Sequence, residues 1–413
     1  MNRPLFIIIG SVVILVLLLV WVYVLFIRGN FTEDNNTGSS GTFSNLDLED
    51  TSLDSNSNDS NQDDDTLLSS TTVTGERKKL RQLTTKRVAG FSEINASTTD
   101  VAYFIEAGVG HMYEVDIFTG QERRISATTF PDTYSGDITT DGKHFVLQTG
   151  YSNNRATHVG NIDTETQATT NTRQLEAGVV SHNFFENESI GYAVAGTNNV
   201  TIRSYDFETE TSKTIFTIPF REASIVWGKN EQGPHYFFPK SASGLEGFVY
   251  EYSEGNMRRL PLDGFNLSAY GSEDIALATF VENSKFQTSI YQRKDNISTT
   301  LNQPLLPHKC LQTSDLALIC GIDINTRLEE SHFTIWQQGR LQFSDDINLI
   351  DQTNGASTEL ANTKAITGRV VDITKMEQGM KYGFVYFINK NDQTLWIYEY
   401  ESTTVSDTET EVE

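Results

Sequence analysis

Hydrophobic and polar positions alternate along most of this chain, with a period of two. From about residue 80 to 400, short runs of Val, Ile, Tyr, Phe and Thr alternate with polar residues and stop at Gly, Asn or Asp. This is the pattern of strands joined by tight turns. No apolar period of 3.6 extends over a dozen residues there, so the expectation is an all-β region.

The alternation comes in blocks. GHMYEVDIFTGQERRIS (110–126) reads as an aromatic-apolar strand, a turn and a second short strand. VTIRSYDFETETSKTIFTI (200–218) and GFVYEYSEGNMRRLPL (247–262) do the same. Looser copies are HVGNIDTETQATTNTRQL (158–175), TSIYQRKDNISTTL (288–301), FTIWQQGRLQF (333–343) and TLWIYEYE (394–401). A second strand pair precedes each block, as in SGDITTDGKHFVLQT (135–149), SHNFFENESIGYAVAG (181–196) and VVDITKMEQGMKYGFVYFI (370–388). Two pairs per unit, recurring roughly every 40–45 residues, predict four-stranded propeller blades. The polar stretch DQTNGASTELANTK (351–364) falls in the longest gap.

The strand–DGK–strand order, with TTDGK at 139–143, and the endings RRIS and RQLT resemble TolB-type and WD40-like propeller repeats across about 80–400. The resemblance implies a β-propeller, and the seven copies predict seven four-stranded blades. It is also to single-pass bacterial membrane proteins of unknown role, and it brings no catalytic residues. The last block lacks an outer strand. RKKLRQLT (77–84) has the form of that strand, so it is expected beside 394–400, closing the ring and covering an edge.

The N-terminus breaks the pattern. Leu5 to Ile27 runs without a charge and is long enough to cross a hydrocarbon core as a helix. No small-residue cleavage site follows, which argues for an uncleaved anchor. Arg3 precedes it, and beyond Arg28 no Lys or Arg occurs before Arg77. The positive-inside rule then leaves residues 1–4 cytoplasmic and the remainder extracytoplasmic. The expected organisation is a short N-terminus (1–4), a transmembrane helix (5–27), an acidic disordered linker (28–76), the propeller (77–400) and an acidic disordered tail (401–413). Residues 54–65 mimic a calcium loop in acid spacing, but Asp59 stands where the sharp turn needs Gly.

Charge and composition narrow the function. A net charge of −24 excludes nucleic acid as a partner. G-x-S-x-G, G-x-G-x-x-G, a Walker loop and H-E-x-x-H are all absent from the sequence. The histidines at 111, 144, 158, 182, 235, 308 and 332 are scattered and read as surface or strand positions. No catalytic, metal or cofactor residue is assigned. Tyr113, Tyr205, Tyr250, Tyr291, Trp336 and Trp396 read as packing between blades.

Cys310 and Cys320, the only two cysteines, flank a Ser314–Asp315 turn. Antiparallel pairing about Asp315 sets them opposite each other, which makes a disulfide staple the first reading. Two free buried thiols are the alternative. The functional expectation is a membrane-tethered, non-enzymatic propeller that binds or scaffolds a protein of the cell envelope. The alternative is an envelope glycan hydrolase or lyase at the propeller channel.

Overall fold

The computed structural model describes residues 79–400, except 96–99, 152, 153, 243, 315, 324, 327, 330, 331, 381 and 382. The expected anchor, linker and tail lie outside the described residues. Among the described residues no helix is long and apolar enough to cross a membrane.

Antiparallel meanders follow one another in chain order. Strands β2–β5 (88–126), β6–β9 (133–174), β10–β13 (179–218) and β21–β24 (310–361) each form a four-stranded sheet. Strands β14–β20 (223–301) form one seven-stranded sheet, in which the 16-residue β17 (Asn256–Gly271) serves two meanders. The last sheet holds β25–β27 (373–399) and takes β1 (Leu80–Gln82) as its fourth strand. Leu80 pairs with Tyr398 and Gln82 with Trp396, so the expected closure between the two ends of the fold is present.

The sheets bury both faces, each against a different neighbour. On β26 (Phe384–Asn389), Val385 and Phe387 pack with Ile319 and Ile347 of the preceding sheet. Phe384, Tyr386 and Ile388 pack with Phe91, Phe104 and Val115 of the first sheet. A strand buried on both sides reads as an unbroken apolar run, which is why FVYFIN lacks polar alternation. Similar clusters join each meander to the next, and the last returns to the first. At about 1.5–3 kcal/mol per fully buried large aliphatic or aromatic side chain, these clusters dominate the stability. The architecture is a β-propeller.

The first strands of successive sheets converge, and glycine permits the closest approach. A Cβ on Gly90 of β2 (Val88–Glu93) would lie 1.6 Å from the carbonyl oxygen of Gly136 on β6 (Thr133–Ile138). The hairpins between third and fourth strands share one chemistry. Asp116, Asp163 and Asp206 accept hydrogen bonds from backbone N–H groups two or three residues on. The fifth position of each turn has positive φ, as Gly120, Gln167 and Glu210.

One block differs from expectation. FTIWQQGRLQF is not a strand pair: His332–Gln337 is a short helix. Phe333 and Trp336, three apart, fall on one helical face and are buried together with Phe343. The third and fourth strands of that sheet are β23 (Asp346–Asp351) and β24 (Ser357–Ala361), the latter inside the polar stretch 351–364. The segment 323–345 is therefore an insertion between β22 (Ala317–Ile322) and β23. Trp336 is correspondingly an insertion residue and not a blade-packing aromatic.

Candidate functional site

Polar side chains collect where the first strands converge. Ser135 and Asp137 alternate on β6 and so share a face. His182 stands on β10 (Val179–Phe184) of the next sheet. Its Nε2 is 3.5 Å from Ser135 Oγ, at the outer limit of a hydrogen bond. Its Nδ1 is 3.1 Å from Asp137 Oδ2, within ion-pair distance but off the hydrogen-bonding line. One imidazole thus spans an i, i+2 pair.

The last sheet completes the cluster. Lys375 lies on β25 (Ile373–Gln378) at a break in pairing between Thr374 and Glu377, with φ +48°. Its Nζ is 2.7 Å from Asp137 Oδ1 and 3.7 Å from Glu377 Oε1. Solvent reaches this end, since the Lys375 and Glu377 side chains are 34% and 41% exposed while His182 is 3% exposed. Beside it lies a cavity of about 250 Å³, lined by Trp227, Tyr270, His308, Cys310 and Lys375 among others.

Electrostatics divides the roles. Burial pushes the Asp137 carboxyl up, but the Lys375 charge and His182 outweigh it and hold it below the usual range. Burial works against the Lys375 ammonium, yet Asp137 and Glu377 raise its pKa overall. Glu377 is pushed up to about 7 by burial and the Asp137 charge, against the pull of Lys375. The site therefore holds a firm Lys–Asp pair beside a carboxyl whose pKa is raised, a rise that solvent limits because the Glu377 side chain is 41% exposed. Chemically, Asp137 can orient His182, His182 can take a proton from Ser135, and Glu377 can hold or release one.

Cys310 and Cys320 are register partners and form the disulfide, with Cα atoms 4.1 Å apart. His308 departs from expectation. It sits in a 3-10 turn (Pro307–Lys309) before the strand, not on the strand face of Cys310. Its ring stacks on Phe333 at 5.7 Å, and the residue stays exposed.

None of Ser135, Asp137, His182, Lys375 or Glu377 was assigned a role from sequence. The available signal was polarity in first strands whose neighbours are apolar: SGD at 135–137 and SH at 181–182.

No family model and no curated protein matches this chain. Its structure is similar to the β-propeller domain of the Trilobed protease from Pyrococcus furiosus, with 11% identity, 76% of this chain and 93% of that one covered, and a TM-score of 0.49. It is similar to an uncharacterized protein from Listeria monocytogenes at 13% identity, covering 79% and 99%, with a TM-score of 0.47. It also matches Pyrococcus horikoshii acylaminoacyl peptidase at 11% identity, covering 73% of this chain and 49% of that one, with a TM-score of 0.45. At such identities the likeness is one of fold. Two expectations are corrected against the names of these neighbours: the envelope-binding or scaffolding propeller with its glycan hydrolase or lyase alternative, and the reading of the chain as not an enzyme. Two of these three are named as a protease or a peptidase, and with TM-scores below 0.5 they bear on the fold alone.

Proposed function

We propose that this chain is an acyl hydrolase acting on a small ester or peptide group, with Ser135, His182 and Asp137 as its relay. The observation that carries the reading is one imidazole set between a serine hydroxyl and a carboxylate on alternate residues of β6. Such a relay is recognised by geometry and roles rather than by sequence order. Ser135 Oγ attacks the acyl carbon while its proton passes to His182 Nε2. That proton then leaves with the alcohol or amine, and water releases the acyl group from Ser135 by the reverse relay. Because β6 ends its sheet, alternate backbone N–H groups along it are donors of the type an oxyanion needs. The cavity of about 250 Å³ meets the cluster only at Lys375, beside the relay and not around Ser135.

Within this reading the sheets make seven blades of the TolB-type kind, with β17 divided between the fourth and fifth. The segment 5–27 anchors the chain and leaves the propeller extracytoplasmic, a setting in which the Cys310–Cys320 bond persists.

The test is labelling of the full chain with a fluorophosphonate probe, with peptide mapping of the modified residue. Modification at Ser135, lost in Ser135→Ala and in His182→Ala at unchanged melting temperature, is the expected result. A wild-type chain that is neither labelled nor able to hydrolyse p-nitrophenyl acetate, or labelling that survives Ser135→Ala, overturns the reading.

A further inference from the structure

The insertion 323–345 forms one wall of a second, open cavity, separate from the relay. It measures about 690 Å³ and lies between the insertion and the end of the preceding seven-stranded sheet. Phe286, Leu306, Leu328 and Phe343 give it apolar walls. Lys309 and Asp345 line it although each side chain is only 1% exposed. The volume falls within the range of small-molecule sites.

Three features define what would fill it. First, Gln303 lines the cavity, and its buried Nε2 has no hydrogen-bond partner. An unmet buried donor costs about 1–3 kcal/mol, which an acceptor on a ligand would recover. Second, the charge of Lys309 is already engaged, at 2.5 Å from Asp345 and 2.7 Å from Asp372. It therefore offers little to an anion. Third, the remaining ionisable groups on the wall are Lys285 against Asp323, which accepts from Asn325 N, Thr326 Oγ1 and Ser344 N, and Glu329, whose side chain is 72% exposed near His332. The balance is negative.

We propose that this cavity binds an organic monocation with an apolar body and a hydrogen-bond acceptor, its ammonium toward the carboxylates and its acceptor toward Gln303. An amino-acid amide or the amino end of a peptide has this chemistry. The apolar walls hold the body, and the negative balance selects the charge.

Calorimetric titration of the full chain with phenylalanine amide tests it, alongside neutral N-acetylphenylalanine amide and anionic N-acetylphenylalanine. The cation binds and the other two do not. Leu328→Trp, which fills the cavity, abolishes binding, and Gln303→Leu weakens it about tenfold. Both positions are half-buried, so melting temperature serves as the check on folding. Should Leu328→Trp fail to fold, Gln303→Leu decides. Ser135→Ala leaves binding intact. Equal binding of all three compounds, no binding of the cation, or cation binding untouched by both cavity variants overturns the proposal.

Discussion

Two lysines in this propeller each stand between two carboxylates, and their surroundings give them opposite characters. Lys309 meets Asp345 and Asp372 in a dry site where all three side chains are at most 1% exposed. Its partners are further held by donors: Asp345 Oδ2 accepts from Ile373 N, and Asp372 accepts from the Trp336 indole and from Phe343 N. Lys390 closes the group by donating to the Trp336 carbonyl. Lys375 meets Asp137 and Glu377 with water at hand, and Glu377 is 41% exposed. The first cluster ties the insertion and two sheets together. The second keeps a carboxyl whose pKa is raised. Similar residue content yields a lock or a reactive site according to burial and the supply of fixed donors.

The largest expected effect breaks this contrast directly. Lys309→Met strands two buried aspartates together and should cost about 3–5 kcal/mol. Lys375→Met should cost under about 1 kcal/mol, because its partners reach solvent and Glu377 can take up a proton. Denaturant midpoints of the two variants decide it. Equal losses would show that the two sites do not differ in kind.

A middle-sized effect concerns the segment between them. His308 and Cys310 line the smaller cavity, while Lys309 between them lines the larger one. The Cys310–Cys320 bond fixes this dividing segment. Its closed loop is short, so replacing both cysteines by serine should cost about 2–3 kcal/mol by the chain-entropy estimate. Denaturant unfolding measures the loss. A double variant as stable as the wild type would mean that the two clusters alone hold the segment.

The sequence made the fold readable because strand alternation and turn chemistry are local. Asp116 and Gly120 announce their hairpin within five residues, and RKKLRQLT declares itself an outer strand by likeness to QERRIS. The insertion misled because FTIWQQG is rich in β-formers, and Phe333 and Trp336 become a helical pair only once the cavity wall exists to receive them. The strand β24 was read as a gap because most of it is exposed, and an outer strand needs no apolar residue. The sites were less legible still. Lys375 reaches Asp137 across 238 positions of chain, and it does so from a break in strand pairing that no local pattern encodes.

The smallest expected effect, read as the change per pH unit, is a pH dependence that separates the clusters again. Asp345 is pushed up to about 6 by burial and the Asp372 charge, against Lys309. The folded chain therefore keeps a proton that the unfolded chain has released above about pH 4. Stability from this group is fully present below about pH 4, declines as pH rises, and is lost above about 6. The decline should amount to about 2–3 kcal/mol in all, since the displacement spans about two units at about 1.4 kcal/mol each. Glu377 acts with the same sign up to about pH 7, more weakly because solvent screens it. The depressed Asp137 acts oppositely, but only below its ordinary range, so it does not enter this window. Asp345→Asn should flatten the slope between pH 4 and 6, and Glu377→Gln should flatten only its weaker extension toward 7. Thermal midpoints across that range for the three chains test this. If Asp345→Asn runs parallel to the wild type, the buried cluster does not titrate, and Lys309 holds both aspartates charged throughout.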